Sequence, residues 1–78
     1  VQSTDAIFNS QGKLLKQLTV REIEVIKLIA TGCDSKTTAR LLRITTSTVN
    51  FHLTNIYSKL QAENRIQAIN KAKEMNYL

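Results

Sequence analysis

The chain has 78 residues, 42% hydrophobic and 22% charged, with 11 Lys and Arg against 6 Asp and Glu and a formal net charge of +5. That length holds one domain with one modest core, and the composition is that of a chain able to bury enough apolar surface to fold. A lone Cys33 excludes an intrachain disulfide and a thiol metal cluster, no apolar run approaches the ~20 residues of a bilayer span, and the basic balance points to a polyanionic partner.

The expected setting is a reducing cytoplasm, with no membrane association. A start at Val1 rather than Met, without a basic-then-apolar leader, fits a domain cut from a longer polypeptide with a sensory domain upstream. Residues 1–17 show no sustained period and read as a linker or N-terminal extension. Within them Ile7 and Phe8 either dock on the body or form a short strand or turn.

Thr19-Val20-Arg21-Glu22 has the capping-box pattern, in which hydroxyl and carboxylate each satisfy a backbone N–H left over at a helix start. A first helix is predicted from Val20 to Thr31, with Ile23, Ile26 and Ala30 inward, Val20, Val25 and Ile29 beside them, and Gly32 ending it. Asp34 or Ser35 caps a short second helix through Leu42, with Ala39 and Leu42 inward and Leu41 flanking. Arg43 and Ile44 form a tight connection, and Thr45 or Thr46 caps a third helix. Asn64, with Gln67 three residues on, caps a fourth helix through about Met75. The fold class is therefore all-α, with four helices over residues 18–78.

The third helix carries the most information. At 100° per residue, Val49, Leu53, Ile56 and Leu60 fall within a stripe about 60° wide, the signature of a buried seam. Ser47, Phe51, Thr54 and Ser58 then face the other way, with Asn50 and Asn55 on the flanks. This helix lies in a window from Ser35 to Ala62 that contains Lys36, Arg40, Arg43 and Lys59 but no Asp or Glu.

Two short helices with a tight turn, then a longer helix with a polar outward face inside an acid-free basic window, are the parts of a helix-turn-helix. The four cations can neutralise phosphates and displace counterions, which gives affinity for double-stranded DNA without sequence information. Base reading falls to the outward face, a recognition helix spanning about residues 46–61. Asn50 offers the donor and acceptor that adenine N6 and N7 complement. Phe51 either meets a thymine methyl or packs against a neighbouring element, and Thr54 contacts a base or a phosphate. His52, beside the seam, either donates to a phosphate or fills the edge of the core. No Gly-rich phosphate loop, metal-ligand cluster or carboxylate pair occurs, so the reading is of a non-enzyme without metal or cofactor.

At these residues the chain resembles the LuxR-type helix-turn-helix family. Leu18-Thr19-Val20-Arg21-Glu22-Ile23-Glu24-Val25 is similar to its opening motif, and Leu28 to Gly32, Ile44, Thr48-Val49, His52, Asn55-Ile56, Lys59-Leu60, Asn64-Arg65 and Gln67-Ala68 fall at its spacing. The resemblance implies a third helix in the major groove and a fourth that pairs two copies on a two-fold-symmetric operator. It also implies base contacts from Asn50, Phe51 and Thr54 and phosphate contacts from Lys36, Thr46, Thr48 and Lys59, whereas Arg40 and Arg43 rest on charge alone.

Ala68, Ile69 and Ala72 form a small apolar strip suited to such a dimer, or else pack on the first helix. Asn50-Phe51-His52 is similar to the quorum-sensing branch, whose members bind acyl-homoserine lactones through a separate N-terminal domain. Three positions depart from the family pattern: Asn50 stands where many members have Lys, Thr38 where a bulky aliphatic is usual, and Asn76 where a late Gly is usual. A competing reading of the same scaffold is a protein-interaction module, with Phe51 as its anchor and RNA polymerase or another regulator as its partner.

Overall fold

The computed structural model of the chain describes residues 7–8, 14–15 and 17–78. Four helices make up the domain: α1 (Val20–Ala30), α2 (Ser35–Leu42), α3 (Thr46–Leu60) and α4 (Arg65–Glu74). The linker expected over residues 1–17 lies largely outside the described residues. Of it, β1 (Ile7–Phe8) and β2 (Leu14–Leu15) pair antiparallel with Ile7 opposite Leu15, so the strand alternative for Ile7 and Phe8 holds.

Short polar residues start every helix by satisfying a backbone N–H that has no partner inside the helix. Thr19 accepts from the Glu22 N–H, Asp34 from Thr37, Thr45 from Thr48 and Asn64 from Gln67. In α1 the box is complete, because Glu22 Oε1 accepts from the Thr19 N–H at 2.9 Å. In α4 the reciprocal bond falls one residue earlier, with Gln67 Oε1 accepting from the Glu63 N–H.

The four helix ends are equally uniform. Each closes with a left-handed residue, Gly32, Arg43, Gln61 or Asn76, and with the paired backbone bonds of the Schellman turn. For α4 these run from Tyr77 N–H to the Ala72 carbonyl and from Asn76 N–H to the Lys73 carbonyl. Asn76 takes the left-handed conformation at a φ of 66°, so the departure from Gly leaves the turn intact, Asn being the non-glycine residue that tolerates it best. Beyond it, the Tyr77 hydroxyl accepts from the Leu18 N–H at 3.1 Å, joining the entry of the domain to its last residues.

Helix α3 packs on all three of the others, and α1 also touches α2 and α4. Its seam is the predicted one, with Val49, Leu53, Ile56 and Leu60 buried. In α1 the inward stripe is Glu22, Val25, Ile26 and Ile29, while Val20 is exposed and Ile23 only half-buried. The stripe therefore runs through a carboxylate, which the apolar pattern alone places outside.

In α2 the inward residues are Thr38 and Ala39, with Leu42 half-buried and Leu41 exposed. Ala68 and Ala72 of α4 are fully buried in the common core, Ile69 packs partly against it, and Ile66 is exposed. The dimer strip read from the sequence is thus corrected. Two of its three residues have no surface to offer a second copy, because the small side chains let α4 approach the rest of the core.

Thr38 is fully buried and its hydroxyl has no hydrogen-bond partner among the described residues. A buried hydroxyl left unpaired costs its desolvation, on the order of 1–3 kcal/mol. Thr38→Val keeps the shape and removes that cost. The expected gain is about 1 kcal/mol, seen as a higher urea midpoint with unchanged slope; a midpoint that falls refutes it.

Candidate nucleic-acid interface

The turn between α2 and α3 fixes where the outward face of α3 points. Arg43 ends α2 in the left-handed conformation, Ile44 N–H donates to the Ala39 carbonyl at 3.0 Å, and Thr45 at once caps α3. From that start Asn50, Phe51 and Thr54 come together on the exposed side of α3, with Ser47 and Ser58 along the same side. Phe51 is 63% exposed, so the alternative in which it packs against a neighbouring element does not hold within this domain. Its ring lies 6.0 Å from that of the half-buried His52, tilted by 59°.

Two hydrogen bonds set the polarity of this face. Thr54 Oγ1 donates to the Asn50 backbone carbonyl at 3.0 Å, one turn back along α3, which leaves the hydroxyl oxygen its lone pairs to accept with. The Asn50 Oδ1 accepts from the Ser35 hydroxyl at 3.0 Å, across from α2 to α3. Closer to the helix start, the Thr45 and Thr48 hydroxyls are bonded to one another at 2.8 Å, Thr48 being half-buried and Thr46 exposed.

Lys36, Arg40 and Arg43 are exposed, and all belong to α2 or the turn after it. Asp34 stands at the head of the same helix. Its carboxyl is held below the usual range first by the Thr37 backbone N–H and then, among other contributions, by the Lys36 and Arg40 charges.

Lys59 is reassigned. In place of the expected phosphate contact, its ammonium lies 2.7 Å from Glu22 Oε1, with the Lys side chain 22% exposed and the Glu side chain 5%. Helix geometry carries Lys59 toward α1 rather than onto the outward face. Burial alone would raise the Glu22 carboxyl. The Lys59 and Thr19 hydrogen bonds, with the Lys59 charge, outweigh burial and hold it below its ordinary value.

Glu22 and Ser35 are the two residues that sequence reasoning missed. Glu22 was findable, because it sits three, four and seven residues before Val25, Ile26 and Ile29. No periodic signal links Ser35 to Asn50.

Residues 16–72 match the family model described as bacterial regulatory proteins, luxR family. The chain belongs to that family. It is accordingly a LuxR-type helix-turn-helix DNA-binding domain, of the kind that serves as the output domain of bacterial transcription regulators. It is 38% identical over 68 residues to the response regulator protein VraR of Staphylococcus aureus, an alignment covering 87% of this chain and 32% of VraR. The chain thus spans about a third of the length of that relative.

Among solved structures it is similar to the response regulator ChrA of a heme-sensing two-component system, at a TM-score of 0.78 and 36% identity, covering 85% of this chain and 33% of ChrA. It is also similar to the transcription factor GerE, at 0.76 and 33%, covering 78% of this chain and 91% of GerE. No described helix is long and apolar enough to cross a membrane, and the described residues hold no cluster of three or more His, Cys, Asp or Glu able to hold a metal.

A carboxyl with a lowered folded value contributes stability that is complete above the unfolded value, about 4.3, and is lost as pH falls through the folded one. Glu22→Gln is expected to cost about 1–3 kcal/mol at pH 7, with the difference from wild type shrinking steadily below about pH 4. Lys59→Ala is expected to lower stability at pH 7 without DNA present. Urea midpoints across pH check both, and a Glu22→Gln deficit that persists unchanged into strong acid rules out the ionic role.

Proposed function

We propose that α3 lies in the major groove of duplex DNA, with Asn50, Phe51 and Thr54 against base edges. The observation that carries this is the exposed side of α3, where a phenylalanine stands open among short uncharged polar groups. An aromatic ring so displayed is costly in water and suited to a thymine methyl. Asn50 supplies the amide for adenine, and Thr54 an acceptor oxygen one turn on. Lys36, Arg40 and Arg43 take phosphates from α2 and the turn, with Thr46, Thr48 and His52 at the margin of the groove.

The setting that fits such a domain is the cytoplasm. Its short span relative to VraR supports a place within a longer regulator, with a sensory domain upstream and residues 1–17 as the link between them. The Asn50-Phe51-His52 triplet supports a quorum-sensing parent, whereas the names of VraR and ChrA support a response regulator. Two copies on a two-fold operator follow from the family's mode of pairing through the fourth helix. Ile66 and Ile69 supply the apolar surface that the buried alanines do not.

Asn50→Ala is expected to reduce preference for a selected site by about tenfold or more and to leave binding to unrelated duplex nearly unchanged. Arg40→Ala and Arg43→Ala are each expected to weaken every duplex and to reduce the slope of log affinity against log salt by about one. Titration of labelled duplexes over a salt series checks all three. Equal losses on all sequences for Asn50→Ala reject its role, and no binding to duplex at low ionic strength rejects the reading as a whole.

A further inference from the structure

Ser35 is the first residue of α2, one past the N-cap position that serine favours. Here Asp34 is the cap, accepting from the Thr37 N–H at 2.7 Å. The Ser35 hydroxyl instead donates across to Asn50 Oδ1, fifteen residues on in the chain. We propose that Ser35 is a positioning residue for sequence recognition, its hydroxyl fixing the Asn50 carboxamide before DNA arrives; this rests on the base-reading role of Asn50 given above.

An exposed Asn side chain samples several rotamers and both orientations of its amide, and binding must remove that freedom. In the free protein the Oδ1 end is turned toward a half-buried serine on a neighbouring helix, and the hydrogen bond from that hydroxyl restricts this freedom. A carboxamide oxygen has two lone pairs. With one engaged by Ser35, Asn50 retains one lone pair and both N–H groups, the complement that adenine N6 and N7 require. Thr54 is fixed in the same sense by its own bond to the Asn50 carbonyl, so the two polar readers meet the base edges with set polarity.

The test uses the whole 78-residue chain. Duplexes are selected from a randomised library by wild type, and binding to them and to one unrelated duplex is measured for Ser35→Ala, Ser35→Thr, Asn50→Ala and the Ser35→Ala/Asn50→Ala pair. Selection is repeated with each variant to read base preference position by position.

The expected result is that Ser35→Ala loses between about two- and tenfold on the selected duplex and none on the unrelated one, relaxing preference at the same positions as Asn50→Ala. The double variant then matches Asn50→Ala alone, and Ser35→Thr retains wild-type preference. Thermal unfolding of Ser35→Ala stays at the wild-type midpoint, because Asp34 holds the cap.

The inference is overturned if Asn50→Ala relaxes preference while Ser35→Ala does not. It is overturned equally if the Ser35→Ala loss is the same on the unrelated duplex, or adds in full to that of Asn50→Ala. If Asn50→Ala itself leaves base preference unchanged, the base-reading role fails and this inference with it.

Discussion

Glu22 Oε1 accepts at once from the Thr19 N–H and from the Lys59 ammonium. The first bond closes the start of α1, and the second holds the last turn of α3. Because α3 packs on every other helix, the position of its far end sets how the whole outward face is presented. A carboxylate this buried would be a liability without partners, since an uncompensated charge in the interior is strongly unfavourable. Here burial is compatible with charge because a backbone donor and a cation converge on one oxygen. The pair therefore acts as a geometric constraint more than as a source of net stability.

The division of labour between α2 and α3 follows from that arrangement. With Lys59 turned inward, the exposed cations of the acid-free window are Lys36, Arg40 and Arg43, on α2 and the turn. The outward side of α3 is left neutral and hydrogen-bonding. On the proposed reading, long-range attraction to a polyanion comes from α2 and the turn, and short-range discrimination between bases from α3, with Ser35 of α2 supporting Asn50. The exposed cations and the base-facing side chains are different residues, so salt dependence and base preference are separable measurements of that proposal.

Much of this was legible in the residues. The Thr19 and Asn64 caps, Gly32, and the seam of Val49, Leu53, Ile56 and Leu60 follow from local chemistry and helical period, with Asp34 or Ser35 and Thr45 or Thr46 left as alternatives, and the seam alone orients Asn50, Phe51 and Thr54 outward. What local pattern does not carry is the crossing of helices. Nothing near Lys59 indicates that Glu22 waits 37 residues earlier, so a cation in a basic window reads as a phosphate ligand. The Ala68-Ile69-Ala72 strip stays ambiguous in the sequence for a related reason. Small residues at helical spacing permit close approach of another helix, but they do not say whether that helix belongs to the same chain. Thr38 reads as a departure from pattern in the sequence, and only the fold shows that its hydroxyl is sealed without a partner.

The bond between the Leu18 N–H and the Tyr77 hydroxyl ties residues 59 positions apart in sequence. The entry to α1 and the tail after α4 are held side by side, through a link whose length and direction are set by one phenol. A backbone donor ahead of α1, beside the buried Leu18 side chain, thus finds its acceptor in the tail beyond α4, and the two ends of the helical domain close on one another.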